Sequence, residues 1–251
     1  MLTYRWHADD GEHELGLVRV QGTDGRAFLF GGGKDRKPIE IKDFYIGATP
    51  VTQALWTHIM GANPATRPEP RAPVENVSWR HITDPGGFLD RINSSQARVA
   101  LDLSRTMAFR LPSETEWEYA ARGGPRWQDD YQWSGSNDPR DVAWFGPRWG
   151  KRHKVLAGTL GWPIAWRLAN RMQVPRATRT RPVATKAPNQ LGTYDMSGNI
   201  WEWCQDVCVD LDKVPADGTP ALEHAGDQEE RRLRGGCFNN WDLFCRVWWR
   251  Y

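Results

Sequence analysis

Arg110-Leu-Pro-Ser-Glu-Thr-Glu-Trp-Glu-Tyr-Ala-Ala-Arg-Gly-Gly124 is the stretch on which the fold turns. Ser113 is placed to cap the amides of a first helical turn, and Glu116, three positions on, completes a capping box by reaching back to the Ser113 amide. Glu114, Glu116 and Glu118 complement the positive end of the helix dipole, and the Gly123-Gly124 pair ends the helix. A short, fixed helix follows. Its carboxylates could pass for acid/base residues, but capping and dipole duty account for them.

On the N-terminal side, Asp43-Phe-Tyr-Ile-Gly-Ala-Thr-Pro-Val-Thr-Gln53 reads as a strand entering a helix. The apolar residues Leu55, Ile59 and Met60 share a face of that helix before Gly61 stops it. A further helix is expected after Asn76-Val-Ser-Trp79, broken near Pro85-Gly86 and resuming through Phe88, Leu89 and Ile92. Residues 1–40 alternate apolar and polar positions around glycine turns, the pattern of short antiparallel strands. On the C-terminal side, residues 145–182 form a Trp- and Arg-rich insertion with one helix-like patch, Ala165 to Met172. Leu191 to Trp203 is a tight turn leading into a strand, and an acidic loop of about 210–230 precedes the terminal segment 234–251.

The composition fits this reading. With 251 residues, 39% hydrophobic and 25% charged, the chain suits one domain over 1–251, and 17 Pro with 24 Gly call for much loop. An α+β, loop-rich fold of short antiparallel strands with two or three short helices is expected. The net charge of +2 hides a segregation: Val142 to Tyr194 carries ten Lys or Arg and no acid, whereas Glu202 to Glu230 is acidic. Charge compensation within the chain explains such blocks more simply than an anionic partner. Trp149, Trp162 and Trp166 lie among the arginines, but no nucleic-acid motif accompanies them, so nucleic acid is not expected as a partner. No apolar run reaches bilayer length and the start lacks a signal-peptide core, so neither membrane insertion nor secretion is expected. Cys204, Cys208, Cys237 and Cys245 do not look like a disulfide framework, which points to a reducing compartment, cytoplasmic or virion-associated.

Four cassettes together resemble the formylglycine-generating-enzyme or sulfatase-modifying-factor family, which is built on a C-type-lectin-like fold. They are Ala48-Thr-Pro-Val-Thr-Gln-Ala-Leu-Trp56, Ala72-Pro-Val-Glu-Asn-Val-Ser-Trp79, Arg110 to Gly124, and Leu191-Gly-Thr-Tyr-Asp-Met-Ser-Gly-Asn-Ile-Trp-Glu-Trp203. The resemblance is specific for fold and weak for activity, because one scaffold hosts many functions. The family's copper oxidases use two cysteines after Arg-Gly-Gly. The second position falls on Cys245 but the first on Asn240, and Cys237 stands at the usual Ser position. A soft Cu(I) site wants two thiolates, so no copper is expected, and the scattered histidines give no iron site. The resemblance also implies a structural Ca²⁺ on Asp195, Gly198, Ile200 and Glu202, with hydrogen bonds alone as the alternative way to hold that turn. Cys204 and Cys208 read as structural thiols.

The terminal segment resembles the variable regions of diversity-generating retroelement proteins, which share the lectin-like fold. Asn239, Asn240, Cys245, Arg246 and Arg250 fit the framework of those regions, and the resemblance implies ligand contacts at Phe238, Asn240, Trp241, Asp242, Phe244, Val247, Trp248, Trp249 and Tyr251. Aromatic side chains give large contact area at low entropy cost, which suits a binding surface. About half of these aromatics are expected inside. If the segment is extended, Trp248 and Trp249 point to opposite faces. Relatives continue to a closing Gly-Phe-Arg strand, whereas this sequence stops at Tyr251; either the sequence is cut there or the closing strand is absent, which would leave a sheet edge unpaired. The resulting expectation is a non-catalytic binder of a protein or other macromolecule; the alternative is a formylglycine-generating-type enzyme using Cys245 as nucleophile or metal ligand.

Overall fold

The computed structural model describes residues 1–104, 107–146, 179–222 and 230–251. Most of the 145–182 insertion, including Ala165 to Met172, Trp149, Trp162 and Trp166, lies outside the described residues, as does part of the acidic loop.

The N-terminal pattern folds as read. Strands β1 (Leu2–Ala8) and β2 (Gly11–Val20) form a hairpin, and β2 also pairs with β5 (Phe44–Gly47), in the order β1-β2-β5. Strands β3 (Phe28–Gly32) and β4 (Asp35–Ile39) make a second antiparallel pair. Far along the chain, β6 (Glu202–Val207) pairs with β7 (Arg231–Arg234). Tyr251 then exchanges backbone hydrogen bonds with Leu233, at 2.9 and 3.3 Å, so the tail covers part of the outer side of β7.

The expected helices are present. Helix α1 (Gln53–Met60) is capped by Thr52 and stopped by Gly61 in the left-handed conformation. The broken helix is α2 (Trp79–Thr83) followed by α3 (Phe88–Asn93). Two further short helices, α4 (Gln96–Ala100) and α6 (Pro139–Val142), exceed the two or three expected. Helix α5 (Glu114–Ala121) carries the full capping box: the Glu116 amide donates to Ser113 Oγ at 3.1 Å and the Ser113 amide to Glu116 Oε2 at 2.9 Å. Among the described residues, no helix is long and apolar enough to cross a membrane.

The other two carboxylates of α5 do something different from dipole duty. Glu114 and Glu118 are both 0% exposed, as is Arg234, which donates to Glu114 Oε1 at 2.9 Å and to Glu118 Oε2 at 2.7 Å. Arg250 grips both oxygens of Glu114 at 2.8 Å, and Arg122 with the Gly31 amide completes Glu118 at 3.0 and 2.9 Å. Burial alone would push the Glu114 carboxyl up, but the Arg250 hydrogen bonds and the charges of Arg234, Arg250 and Arg232 hold it below its ordinary value. One helix is thereby tied to β3, β7 and the tail.

Two apolar clusters flank this network. Val20, Phe28, Phe30, Ile39, Trp117 and Val247 belong to one; Leu17, Leu55, Trp56, Ile82, Phe88 and Ile92 belong to the other. The second borders a cavity of about 450 Å³ that also reaches β5 and β6.

Candidate functional site

The terminal segment starts from its anchor. Arg234 is fixed in the ion network, and Gly235 and Gly236 take φ of 88° and 74°, which glycine adopts freely. At Gly236 a Cβ would lie 2.7 Å from Cys245 Sγ and 2.8 Å from the Phe244 carbonyl, so the absence of a side chain lets the tail fold back onto the turn. Asp242–Cys245 forms a 3-10 turn, and the segment is therefore not the extended strand whose alternation would separate Trp248 from Trp249.

This turn sorts the side chains. Trp241, at 4% exposure, packs with Leu243 beneath Phe244 and Trp249, and so does not belong to a solvent-facing patch. Asp242 and Val247 are also buried: the Asp242 carbonyl accepts from Trp133 Nε1 at 2.8 Å, and Val247 sits in the first core cluster. Trp248 is partly buried over Gly32, where a Cβ would come within 2.2 Å of its ring, and the Arg122 and Arg246 guanidinium groups lie 5.8 and 5.3 Å from its ring centre. Phe238, Asn240, Phe244 and Trp249 are partly exposed, with Phe244 and Trp249 meeting edge to face at 4.7 Å. Tyr251 is 66% exposed and its ring lies 5.2 Å from that of Trp201.

Sequence reasoning missed two participants. Trp201 adjoins Tyr251, and Arg246 lies between the Trp133 and Trp248 rings at 5.5 and 5.3 Å. Trp201 meets Tyr251, and Arg246 meets Trp133, across the fold, so neither contact has a local signal.

The thiol chemistry follows from burial. Cys245 is fully buried, and burial first, then the nearby Cys237 and Asp242 charges, push its thiol well above the ordinary range. Such a thiol is a poor nucleophile. Cys237, at the usual Ser position, directs its thiol to Asn240 Oδ1 at 2.9 Å and Asn239 Oδ1 at 3.1 Å. All four cysteines are free.

The Asp195 turn is a second built feature. Asp195 and Asn199 both have positive φ, and Asp195 accepts from Asn199 Nδ2 at 3.1 Å and from the Ala184 amide at 2.9 Å. The Gly198 carbonyl accepts from the Ile200 amide at 2.7 Å. Glu202 Oε1 is buried with no hydrogen-bond partner. Burial, against a hydrogen bond from Trp117 and assisted by the Asp195 charge, pushes the Glu202 carboxyl up to about 8. Trp117 Nε1 makes no hydrogen bond of good geometry, so that contact with Glu202 is a loose one. Among the described residues, no cluster of three or more His, Cys, Asp or Glu forms a ready metal site.

Comparison with known proteins places this geometry. The family model for the sulfatase-modifying factor enzyme 1-like domain matches residues 10–251. The chain is similar to the chaperone protein LppX of Paenibacillus barcinonensis, 36% identical over 191 residues that make up 67% of this chain and 64% of that protein. It is also similar to the formylglycine-generating enzyme of Thermomonospora curvata, 33% identical over 146 residues, 55% of this chain and 43% of that one. The chain thus spans from about two fifths to just under two thirds of these relatives' length. Among solved structures, Treponema denticola variable protein 1 superposes with a TM-score of 0.67 at 23% identity, covering 100% of this chain and 93% of its own. PvdO from Pseudomonas aeruginosa gives 0.59 at 20% identity, covering 99% and 91%. These likenesses establish the α+β, C-type-lectin-like fold of the formylglycine-generating type. With the match running from residue 10 to the last residue, the chain belongs to the sulfatase-modifying factor enzyme 1-like family.

Proposed function

We propose that this protein is a non-catalytic binder that presents Phe238, Asn240, Phe244, Trp249 and Tyr251 to a protein or other macromolecular ligand. The observation that carries the reading is the division of labour in the tail. Arg234, Cys245 and Arg250, the framework positions, hold the fold through buried contacts, while Phe244, Trp249 and Tyr251 keep surface free beside them. Side chains of that kind can be exchanged without touching the anchors, which is what a diversified segment requires. The sealed thiol of Cys245, with Asn240 in place of a second cysteine, supports binding over copper chemistry. One relative bears the name chaperone, an activity exercised by contact with another chain.

The test is selection of peptide binders from a displayed random library against the full chain, followed by affinity measurements on Phe244→Ala, Trp249→Ala and Tyr251→Ala. Loss of about tenfold or more in at least one variant with an unchanged melting temperature is the expected result, since truncated anchors cost roughly 1.4 kcal/mol or more. Selected binders indifferent to all three changes, or oxidation of a cysteine peptide by the copper-supplied protein, would refute the reading.

Calcium is proposed for the Asp195 turn, held by Asp195, Glu202 and the Gly198 and Ile200 carbonyls. The orphaned Glu202 Oε1 fits an oxygen-seeking cation, which would supply rigidity to the turn. At a hundredfold excess over Kd, calcium should add about 2.7 kcal/mol, a rise in melting temperature of roughly 5–10 °C. EDTA should reverse it and Glu202→Gln should abolish it. A melting curve blind to calcium would leave the turn to its hydrogen bonds.

A further inference from the structure

The cavity of about 450 Å³ has an arrangement that the terminal segment does not explain. Two of its walls are strands that end their sheets. β5 is the outer member of the order β1-β2-β5, and β6 pairs with β7 alone. Residues Phe44–Gly47 of β5 and Glu202 and Trp203 of β6 line the same space. Beyond Trp203 the strand is covered, since the Cys204 carbonyl accepts from Trp79 Nε1 at 3.2 Å and the Gln205 amide donates to Pro112 at 2.9 Å. The Tyr194 amide, donating to the Ala48 carbonyl at 2.8 Å, bridges the two sides at one end, and the exposed Met107 and Ala108 lie at the rim. One wall is apolar and includes Trp56 and Phe88, whose rings stack 5.0 Å apart at 2°.

Three properties select the occupant. Edge strands present backbone donors and acceptors that want partners. The walls between them want apolar side chains. Of the acidic groups that line the groove, Asp43 is met by Arg19 at 2.7 Å and Glu116 by Arg110 at 2.7 Å, while burial pushes the Glu202 carboxyl up to about 8, so a neutral occupant is called for. A lipid or an aromatic metabolite would satisfy the walls and leave both backbone edges without partners. An uncharged polypeptide in extended form satisfies all three. At about 3.3 Å per residue, the four residues of β5 span roughly 13 Å, room for a strand of similar length.

We propose that the groove between β5 and β6 takes one extended, uncharged segment of another polypeptide, which adds a strand between the two edges and lays alternate side chains on the Trp56–Phe88 wall. The site is separate from the terminal surface, and its test reads different residues.

The probe is an acetylated eight-residue peptide of alternating valine and threonine, added to the full chain and followed by hydrogen exchange and fluorescence anisotropy. Expected results are at least tenfold slower exchange at 45, 47 and 203, the positions whose backbone faces away from β2 and β7, and at least tenfold weaker binding when alternate residues of the peptide are N-methylated. Val77→Trp, which places bulk in the groove, should remove binding while the melting temperature is kept. If that variant does not fold, the N-methylated comparison on the unaltered protein decides alone. Equal binding of the N-methylated peptide, protection confined to 238–251, or absence of peptide binding would overturn the proposal. So would displacement by palmitate with unchanged exchange at both edges, or edges already protected without peptide, which would place an intramolecular strand in the groove.

Discussion

Replacing Arg234 with methionine is expected to destabilise the protein by about 3–5 kcal/mol, a large share of a typical domain's stability, because the change leaves two buried carboxylates short of a partner. Glu114 and Glu118 are both 0% exposed, and each loses a hydrogen bond of 2.9 or 2.7 Å that no water can replace. Arg250 and Arg122 remain, which keeps the loss below that of two bare ions. Urea denaturation at pH 7 measures the effect, and a loss under about 1 kcal/mol would show that the network is dispensable. Glu118→Gln in the same chain should recover part of the loss by removing a buried charge that Arg122 alone would then face. The pH dependence has a definite sign. Glu114 is held below its ordinary value of 4.5 in the folded protein, so its contribution is present above that value and is lost as pH falls through the folded one.

Gly198→Ala is expected to cost about 3 kcal/mol or more. The backbone there has φ of 79°, and a Cβ would sit 2.1 Å from the Trp144 carbonyl oxygen and 2.8 Å from its carbon. The obstacle is backbone, which no rotamer change relieves. Moving it would break the bridge between Trp144 and Gly198 and the bonds from the Asn199 amide to Trp144 at 2.7 Å and from the Gly198 amide to Gly235 at 2.8 Å. Gly192→Ala is the control, since its φ of 86° is equally left-handed but nothing lies within 4 Å. That variant should lose only about 1–2 kcal/mol from strain. Equal midpoints for the two in urea would mean that the close approach of Trp144 contributes nothing.

What was legible in the sequence was local. Ser113 and Glu116 are three residues apart, and Gly61 adjoins the helix it stops, so composition and spacing state the geometry directly. The same helix shows the limit. Glu114 and Glu118 look like dipole residues because their partner Arg234 stands 120 and 116 positions away. Helices α4 and α6, of five and four residues, are too short to display a period. In the tail, aromatic content suggested surface, and Tyr251 is exposed. Trp241 goes inward, and sequence could not say which rings would, since a 3-10 turn rather than a strand decides it. The groove was invisible for a similar reason: β5 and β6 are strands from opposite ends of the chain, and nothing in either says what faces it.

Both ends of the terminal segment are fastened to a single carboxylate, with Arg234 and Arg250 meeting on Glu114. A loop clamped at its two feet in this way behaves like the handle of a cup: its span is set by the clamp, and the entropy of closing it is met there and not by the residues along the arc. The partly exposed positions along the arc, Phe238, Phe244 and Trp249, are thereby relieved of holding its ends together, and the residue on which both feet depend is Glu114, which lies outside the segment altogether.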